Sequence, residues 1–349
     1  MSVRPRILIL DPQFTLTPDI ERGVLGEEPE IDIWRPDGPA PLDPALLAAV
    51  DVVLNCRSRH QLPASTVARM DRARLVVQAG VGFNHIDLDA CARRGIAVCN
   101  TPDYGTTEVA DHAMALMLTL MRGTATYNAR LLAREGAWAT AELVLPPVRR
   151  LRGLTFGVVG LGRIGLATAL RARAFGLEVA YVDPHQPAGT ELALGFRRMP
   201  SLHALLGAAD IVSLHCPLTA QTERLIDAAA VAAMRPGMVL LNTARGPIVD
   251  LDAVHDGLRS GRICAAALDV LPKEPPDRSH PLLAAWARQE PWIEGRFLVT
   301  PHAAFYAPES LADMRRLSAL TVAEFLRDGS LRACVNADLL ARYGFRQSG

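Results

Sequence analysis

The feature that most constrains this chain is Gly160-Leu161-Gly162-Arg163-Ile164-Gly165, set between an apolar run at 156–159 and a helical pattern at 163–175. Alone, G-x-G-x-x-G is a weak signal. Between a strand and a helix it acquires a geometry. The first glycine permits the tight turn, the second lets backbone approach a pyrophosphate, and the third lets the helix pack against the sheet. The helix then turns its positive end towards the phosphates. Asp183 ends the next apolar run, 23 positions after Gly160 (183 − 160). A carboxylate there suits the adenosine ribose hydroxyls and repels a 2′-phosphate. Its neighbours Pro184 and His185 bring no arginine to offset that repulsion, so the pattern predicts NAD rather than NADP.

The motif sits in a wider rhythm of short apolar runs alternating with helical patterns. In the first third, strands are expected at 7–10, 52–55, 75–78 and 96–99, with helices at 44–50, 65–72 and 88–94. A second series places strands at 156–159, 179–182, 211–215, 238–242, 264–270 and 297–300, with helices at 163–175, 202–206, 224–234 and 251–259. A long helix is expected at 308–328. Strand–helix–strand repetition implies parallel sheets with both faces covered. The chain has 349 residues, half of them hydrophobic, which suits two cores rather than one.

Charge narrows the partners. Thirty-seven basic and 37 acidic residues cancel, which argues against nucleic acid. The longest apolar stretch, 109–121, carries Asp111 and His112 and is too short to span a bilayer. No membrane association is expected. The six cysteines form no C-x-x-C pair and lie near no histidine cluster, so they read as reduced thiols of a cytoplasmic protein without a structural metal.

Three further segments follow expected strands, where sites in open α/β sheets lie. Arg245 follows 238–242 and offers a planar cation for a carboxylate. Glu274 follows 264–270. His302 follows 297–300 and can act as acid and base, with Glu274 orienting it and stabilising its charged form. Reducing a 2-oxo acid requires such a set: a holder for the carboxylate, a proton donor and a group that tunes the donor. Gly80-Val81-Gly82, at another expected strand end, can present backbone N–H groups to an anion.

These blocks, with Leu214-His215-Cys216-Pro217-Leu218-Thr219, Thr243-Ala244-Arg245-Gly246, Ala267-Leu268-Asp269-Val270 and Thr300-Pro301-His302, resemble the signature segments of D-isomer-specific 2-hydroxyacid dehydrogenases. The flavour is that of the C-terminal-binding-protein and phosphoglycerate dehydrogenase-like branch, through Cys99-Asn100-Thr101-Pro102 and His302-Ala303-Ala304-Phe305-Tyr306. The resemblance implies a Rossmann coenzyme domain at 104–302 inserted into a flavodoxin-like substrate domain at 1–103 and 303–349. It implies Arg245, Glu274 and His302 as the catalytic set. It extends the coenzyme set beyond Gly160, Gly162, Gly165 and Asp183 to Arg163, Ile164, Thr107, Cys216, Pro217, Thr243, Ala244 and Asp269, the last near the nicotinamide. It implies Gly80, Val81 and Gly82 on the substrate carboxylate, and a homodimer built through the region 122–152.

Two departures stand out. Glu274 and His302 are 28 positions apart (302 − 274), longer than the family core, with the excess at 284–295 carrying Trp286 and Trp292. Phe305 stands where that branch often has tryptophan. The sequence therefore predicts an apolar wall from Phe305, beside His302 if a helix begins there, and a basic rim from Arg57. The leading expectation is an NAD-dependent enzyme moving hydride between nicotinamide and a small D-2-hydroxy or 2-oxo acid. The alternatives are an NAD(H)-sensing corepressor-like protein, or a phosphite- or formate-type dehydrogenase on the same fold.

Overall fold

The computed structural model describes residues 4–12, 15–35, 43–56, 61–133, 138–139 and 144–345. The chain forms two compact units, one from Met1–Gly105 with Ala307–Gly349 and one from Thr106–Tyr306. Both are parallel-sheet α/β units. The expected boundaries lay at 103/104 and 302/303. Residues 303–306 fall in the second unit because the Ala303 and Ala304 N–H groups bond to Asp269 there.

The first unit holds β1 (Arg6–Leu10), β2 (Glu30–Trp34), β3 (Val52–Asn55), β4 (Leu75–Gln78) and β5 (Ala97–Asn100), in the order β2-β1-β3-β4-β5. That is the flavodoxin-like order. β3, β4 and β5 are buried at every residue, as strands covered on both faces must be. β2 was not among the expected strands. Glu30 and Asp32 break its apolar run, and as an edge strand it tolerates them: Arg6 of β1 pairs with Asp32 at 2.9 Å and Glu30 at 3.4 Å.

The second unit holds β6 (Thr155–Val159), β7 (Glu178–Val182), β8 (Arg197–Arg198), β9 (Ile211–Leu214), β10 (Met238–Asn242), β11 (Ile263–Leu268) and β12 (Phe297–Val299). The order is β12-β11-β10-β9-β6-β7-β8, a doubly wound Rossmann sheet whose order reverses between β6 and β9. The two-residue β8, both arginines, carries no apolar signal and was also missed. The excess at 284–295 falls within the helix Pro281–Ala287 and the short turn Pro291–Ile293. It packs on the helix Leu251–Ser260, where Arg259 lies 4.9 Å over Trp292. Glu294 takes both bonds of an Arg130 fork at 2.9 Å each, which ties the segment to the helix Thr124–Ala133. The insertion thus braces that helix, a role its sequence did not reveal.

In the first unit, the helix Pro308–Asp328 covers one sheet face through Val322 and Met314. It is locked to the helix Asp19–Leu25 by Arg315, which bonds Glu21 at 2.9 and 2.6 Å. Glu21 is only 3% exposed. Removing the arginine leaves a buried carboxylate without its cation, which typically costs about 3–5 kcal/mol. Arg315→Met should therefore lower the unfolding free energy by an amount in that range, which moves the urea midpoint down by that amount divided by m, with m unchanged. A midpoint equal to wild type would show that the pair contributes nothing to the fold.

Candidate active site

The glycine turn follows β6. Gly160 has φ +88°, a left-handed conformation, and a Cβ there would lie 2.8 Å from the Cys216 nitrogen. A Cβ on Gly165 would lie 2.0 Å from the Gly160 oxygen. Both positions therefore require glycine for packing within the protein. Gly162 is different: a Cβ there meets nothing within 4 Å. As N-cap of the helix Arg163–Ala174 it provides no side-chain cap. The Ile164 and Gly165 N–H groups donate to no described residue, so the helix start is open to an anion.

Asp183 leaves β7 with its carboxylate fixed. One oxygen accepts the Leu161 N–H at 2.7 Å and the other the His185 N–H at 2.8 Å. A carboxylate has about four acceptor sites, so capacity remains for hydroxyl donors. The structure also brings in Arg198 from β8, which sequence neighbours did not suggest. Its guanidinium donates to the carbonyls of Gln186 at 2.6 Å, Pro187 at 3.2 Å and Asp183 at 3.3 Å, and faces Glu191 at 3.5 Å. Cys216 is buried beside the turn and Pro217 is exposed next to it. His215 donates to or accepts from Ser213 at 2.8 Å, and burial pushes its imidazole down to about 4.

At the end of β10, Asn242 shapes the turn. Its side chain accepts the Ala244 N–H at 3.0 Å and donates to the Arg245 carbonyl at 2.9 Å. A Cβ on Gly246 would lie 2.0 Å from the Leu271 carbonyl, so glycine lets this turn approach the 271–274 loop. That approach brings the Arg245 cation close enough to help hold Glu274 ionised. Thr243 is 7% exposed, and its hydroxyl has no partner among the described residues. An orphaned buried hydroxyl here is what a bound dinucleotide would satisfy. With the open helix start and the fixed Asp183 carboxylate, these residues fit such a coenzyme.

β11 and β12 supply the remainder. Glu274 accepts the Leu271 N–H at 3.0 Å and meets His302 Nδ1 at 2.8 Å. An ionised carboxylate is acceptor-only, so Nδ1 carries the proton and Nε2 is the nitrogen left for chemistry. Burial works against ionisation of Glu274. The bond and charge of His302, the Leu271 N–H and the Arg245 cation outweigh it, and hold the carboxyl below the usual glutamate range. His302 itself has φ +53°, a conformation rare for a side-chain-bearing residue.

Asp269 accounts for that conformation. It is 2% exposed, and its oxygens accept Thr300 Oγ1 at 2.6 Å, Ala303 N–H at 2.9 Å and Ala304 N–H at 3.0 Å. Its carbonyl accepts the His302 N–H at 2.8 Å. His112 adds a bond to Thr300 at 3.1 Å. Asp269, expected beside the nicotinamide, is therefore bound to the loop that carries His302. His112 and Thr300 were given no role in the sequence, because their bonds connect positions distant along the chain.

Phe305 lies edge-to-face with His302, ring centres 6.3 Å apart. The neighbour is as expected, but a turn closed by Tyr306 N–H to Ala303 O places it, since the helix begins only at Pro308. Thr107 is exposed in the first turn of Thr106–Arg122, its hydroxyl on Glu108 at 2.8 Å. It joins none of the residues above. Arg57 lies outside the described residues.

In the first unit, the Gly80–Gly82 loop follows β4. Thr101 N–H donates to Gly80 O at 3.0 Å and Asn100 Nδ2 to Val81 O at 2.8 Å. The Val81 and Gly82 N–H groups donate to no described residue. The carbonyls are thus tied back and the amides left open, as an anion-binding loop requires.

The family model described as D-isomer specific 2-hydroxyacid dehydrogenase, NAD binding domain, matches residues 114–304. A glyoxylate reductase of Korarchaeum cryptofilum is 33% identical over 327 residues, 91% of this chain and 94% of that protein. The solved D-lactate dehydrogenase of Aquifex aeolicus, complexed with NAD and lactic acid, is 28% identical with TM-score 0.78, covering 93% of this chain and 96% of that one. The solved NADPH-dependent glyoxylate/hydroxypyruvate reductase of Sinorhizobium meliloti, in complex with NADP and malonate, is 30% identical with TM-score 0.79, covering 95% and 97%.

The lowered Glu274 carboxyl yields a direct expectation. Its native contacts favour the ionised form, so they stabilise the fold above the ordinary glutamate range and cease to do so as pH falls through the lowered folded value. His302→Ala removes the strongest favourable contacts. The Glu274 titration, followed by carboxyl-carbon NMR, should then move upward. A midpoint identical to wild type would dissolve the pair as an electrostatic unit.

Proposed function

The chain belongs to the D-isomer specific 2-hydroxyacid dehydrogenase family, and from that membership we propose that it uses NAD in preference to NADP, with His302 as acid and base and an apolar 2-oxo acid as substrate. The observation that carries this reading is the His302 Nδ1–Glu274 bond of 2.8 Å with the Arg245 cation beside it. A bound nicotinamide supplies or accepts the hydride. In reduction, His302 Nε2 gives its proton to the substrate carbonyl oxygen, and in oxidation it takes the hydroxyl proton. Glu274 holds the ring by Nδ1 and balances the charge on the imidazolium. Arg245 offers a planar fork to the acid's carboxylate and carbonyl. The open amides of Val81 and Gly82 suit a carboxylate as well.

The Thr243 hydroxyl, the open start of Arg163–Ala174 and Asp183 are the proposed coenzyme contacts, with Ala244, Cys216 and Pro217 alongside. The Asp183 carboxylate supports NAD over NADP. Arg198 does not offset it, because its donors already serve three carbonyls and Glu191. Phe305 beside His302 supports an apolar tail on the acid. The helix Thr124–Ala133 has no buried residue, and Leu132, Trp138 and Val144 are 81%, 86% and 78% exposed, which supports a second copy of this chain covering that region. No helix among the described residues is long and apolar enough to cross a membrane. The free state of all six cysteines supports a reducing, cytoplasmic setting.

The test is kcat/KM with NADH and NADPH across glyoxylate, pyruvate, 2-oxobutyrate, 4-methyl-2-oxopentanoate and phenylpyruvate. NADH should be preferred at least about tenfold, equivalent to roughly 1.4 kcal/mol of repulsion. Efficiency should rise with tail length, by up to about 0.8 kcal/mol per buried methylene. Phe305→Ala should flatten that series. His302→Ala should lose most of kcat while still binding NADH. An NADPH preference removes Asp183 from its role, an optimum at glyoxylate removes the apolar wall, and near-normal turnover of His302→Ala removes the proton donor.

A further inference from the structure

Two of the six free cysteines are paired by the fold of the first unit. Cys99 of β5 faces Cys334 across an isolated antiparallel bridge. The flanking bonds run from Asn100 N–H to Ala333 O at 3.2 Å and from Val335 N–H to Val98 O at 2.8 Å. That pattern makes Cys99 and Cys334 a non-hydrogen-bonded pair, the type whose Cα atoms lie about 4.5 Å apart. A disulfide requires Cα atoms roughly 4.4–6.8 Å apart with Cβ atoms facing each other. The bridge therefore places the cysteines within bonding range, at its short end. Asn336 holds the register by accepting Val98 N–H at 2.8 Å and donating to Ile96 O at 3.0 Å.

The two thiols are chemically unequal. Cys334 Sγ donates to Asn336 Oδ1 at 3.4 Å, and the neighbouring Cys334 thiol together with burial pushes Cys99 up. The neighbouring Cys99 thiol in turn pushes Cys334 down against the effect of its burial. Cys334 is half-buried, whereas Cys99 is fully buried. By contrast, burial pushes Cys91 up to about 12 and Cys216 up to about 11. The pair thus has a half-buried thiol, the more acidic of the two, and a buried partner within reach, the arrangement of a redox-responsive dithiol.

We propose that Cys99 and Cys334 form an oxidation site at which a hydroperoxide converts the dithiol to a disulfide, fastening the C-terminal segment to β5. The Cys334 thiolate attacks the peroxide: an S–O bond forms, the O–O bond breaks, and the departing oxygen takes a proton. The Cys99 sulfur then gives up its proton and attacks the Cys334 sulfur. The S–S bond forms, the S–O bond breaks, and water leaves with that proton. Two electrons pass from the thiols to the peroxide. The residues after Cys99 are Asn100 and Thr101, whose bonds to Val81 and Gly80 brace the Gly80–Gly82 loop. Closing the S–S bond favours a slightly wider Cα spacing than the bridge holds, and that shift strains the brace, so oxidation should weaken binding of the oxo acid. This last consequence rests on reading the loop as a carboxylate site.

The test treats the full-length protein with hydrogen peroxide at neutral pH, alkylates it and maps its peptides by mass spectrometry without reductant. The Cys99 and Cys334 peptides should be joined, two hydrogens lighter than their sum, and be released by dithiothreitol. Cys99→Ser should accumulate a sulfenic acid at Cys334 that dimedone captures, and Cys334→Ser should leave Cys99 unoxidised. Sulfinic acid at Cys334 with Cys99 still reduced in wild type, or oxidation of Cys99 in Cys334→Ser, overturns the proposal. In the oxidised protein, KM for the oxo acid should rise several-fold with KM for NADH unchanged. A bond formed with both constants unmoved overturns the coupling to the loop. A reduced protein that turns over no 2-oxo acid overturns the reading of the loop, and the peptide map still decides the disulfide.

Discussion

The geometry of the proposed active site depends on one buried carboxylate. Asp269 directly follows β11 and gathers the loop after β12 by accepting from Thr300, Ala303 and Ala304. Without those bonds three donors in a tight turn would lack partners, and each unpaired buried donor costs about 1–3 kcal/mol. With them, the chain between Thr300 and Ala303 is pinned on both sides, and His302 is held at φ +53°. Holding the backbone there brings Nδ1 to Glu274 and leaves Nε2 for chemistry. The loop's position follows from sheet order, because β11 and β12 are hydrogen-bonded neighbours and their carboxyl ends lie side by side.

Close backbone approach is the second constraint. Gly165 lets the helix start press on the Gly160 carbonyl, and Gly246 lets the Thr243–Gly246 turn press on Leu271. In both places a single Cβ would force the segments apart. At Gly246 that separation would remove Arg245 from the neighbourhood of Glu274. The electrostatics of the proposed acid–base pair therefore rests on a packing contact as well as on charge.

Much of this was legible in the sequence, for identifiable reasons. The glycine turn, Asp183, Arg245, Glu274 and His302 each sit directly beyond a strongly apolar run, so their placement at strand ends followed from local pattern. β2 and β8 escaped because edge strands carry charge: Glu30 and Asp32 in one, Arg197 and Arg198 in the other. Phe305 was expected beside His302 through a helix, and a turn achieves the same contact. Arg198 at the Asp183 turn, His112 on Thr300 and Cys334 opposite Cys99 were not legible. The first spans 11 to 15 positions and the others about two hundred, and nothing local in the sequence encodes them.

The central claim is that Asp269 positions His302 rather than taking part in the chemistry itself. Asp269→Asn keeps the volume but replaces one acceptor oxygen with an amide donor facing loop N–H groups. The decisive measurement is its steady-state kinetics and pH profile, with circular dichroism to confirm the fold. The account predicts a fall in kcat of about two orders of magnitude, the scale of a misplacement near 1 Å, with KM for NADH unchanged. It also predicts that a further Glu274→Gln substitution adds little, because the pair is already separated. A kcat close to wild type, with the Glu274→Gln effect intact, would contradict it.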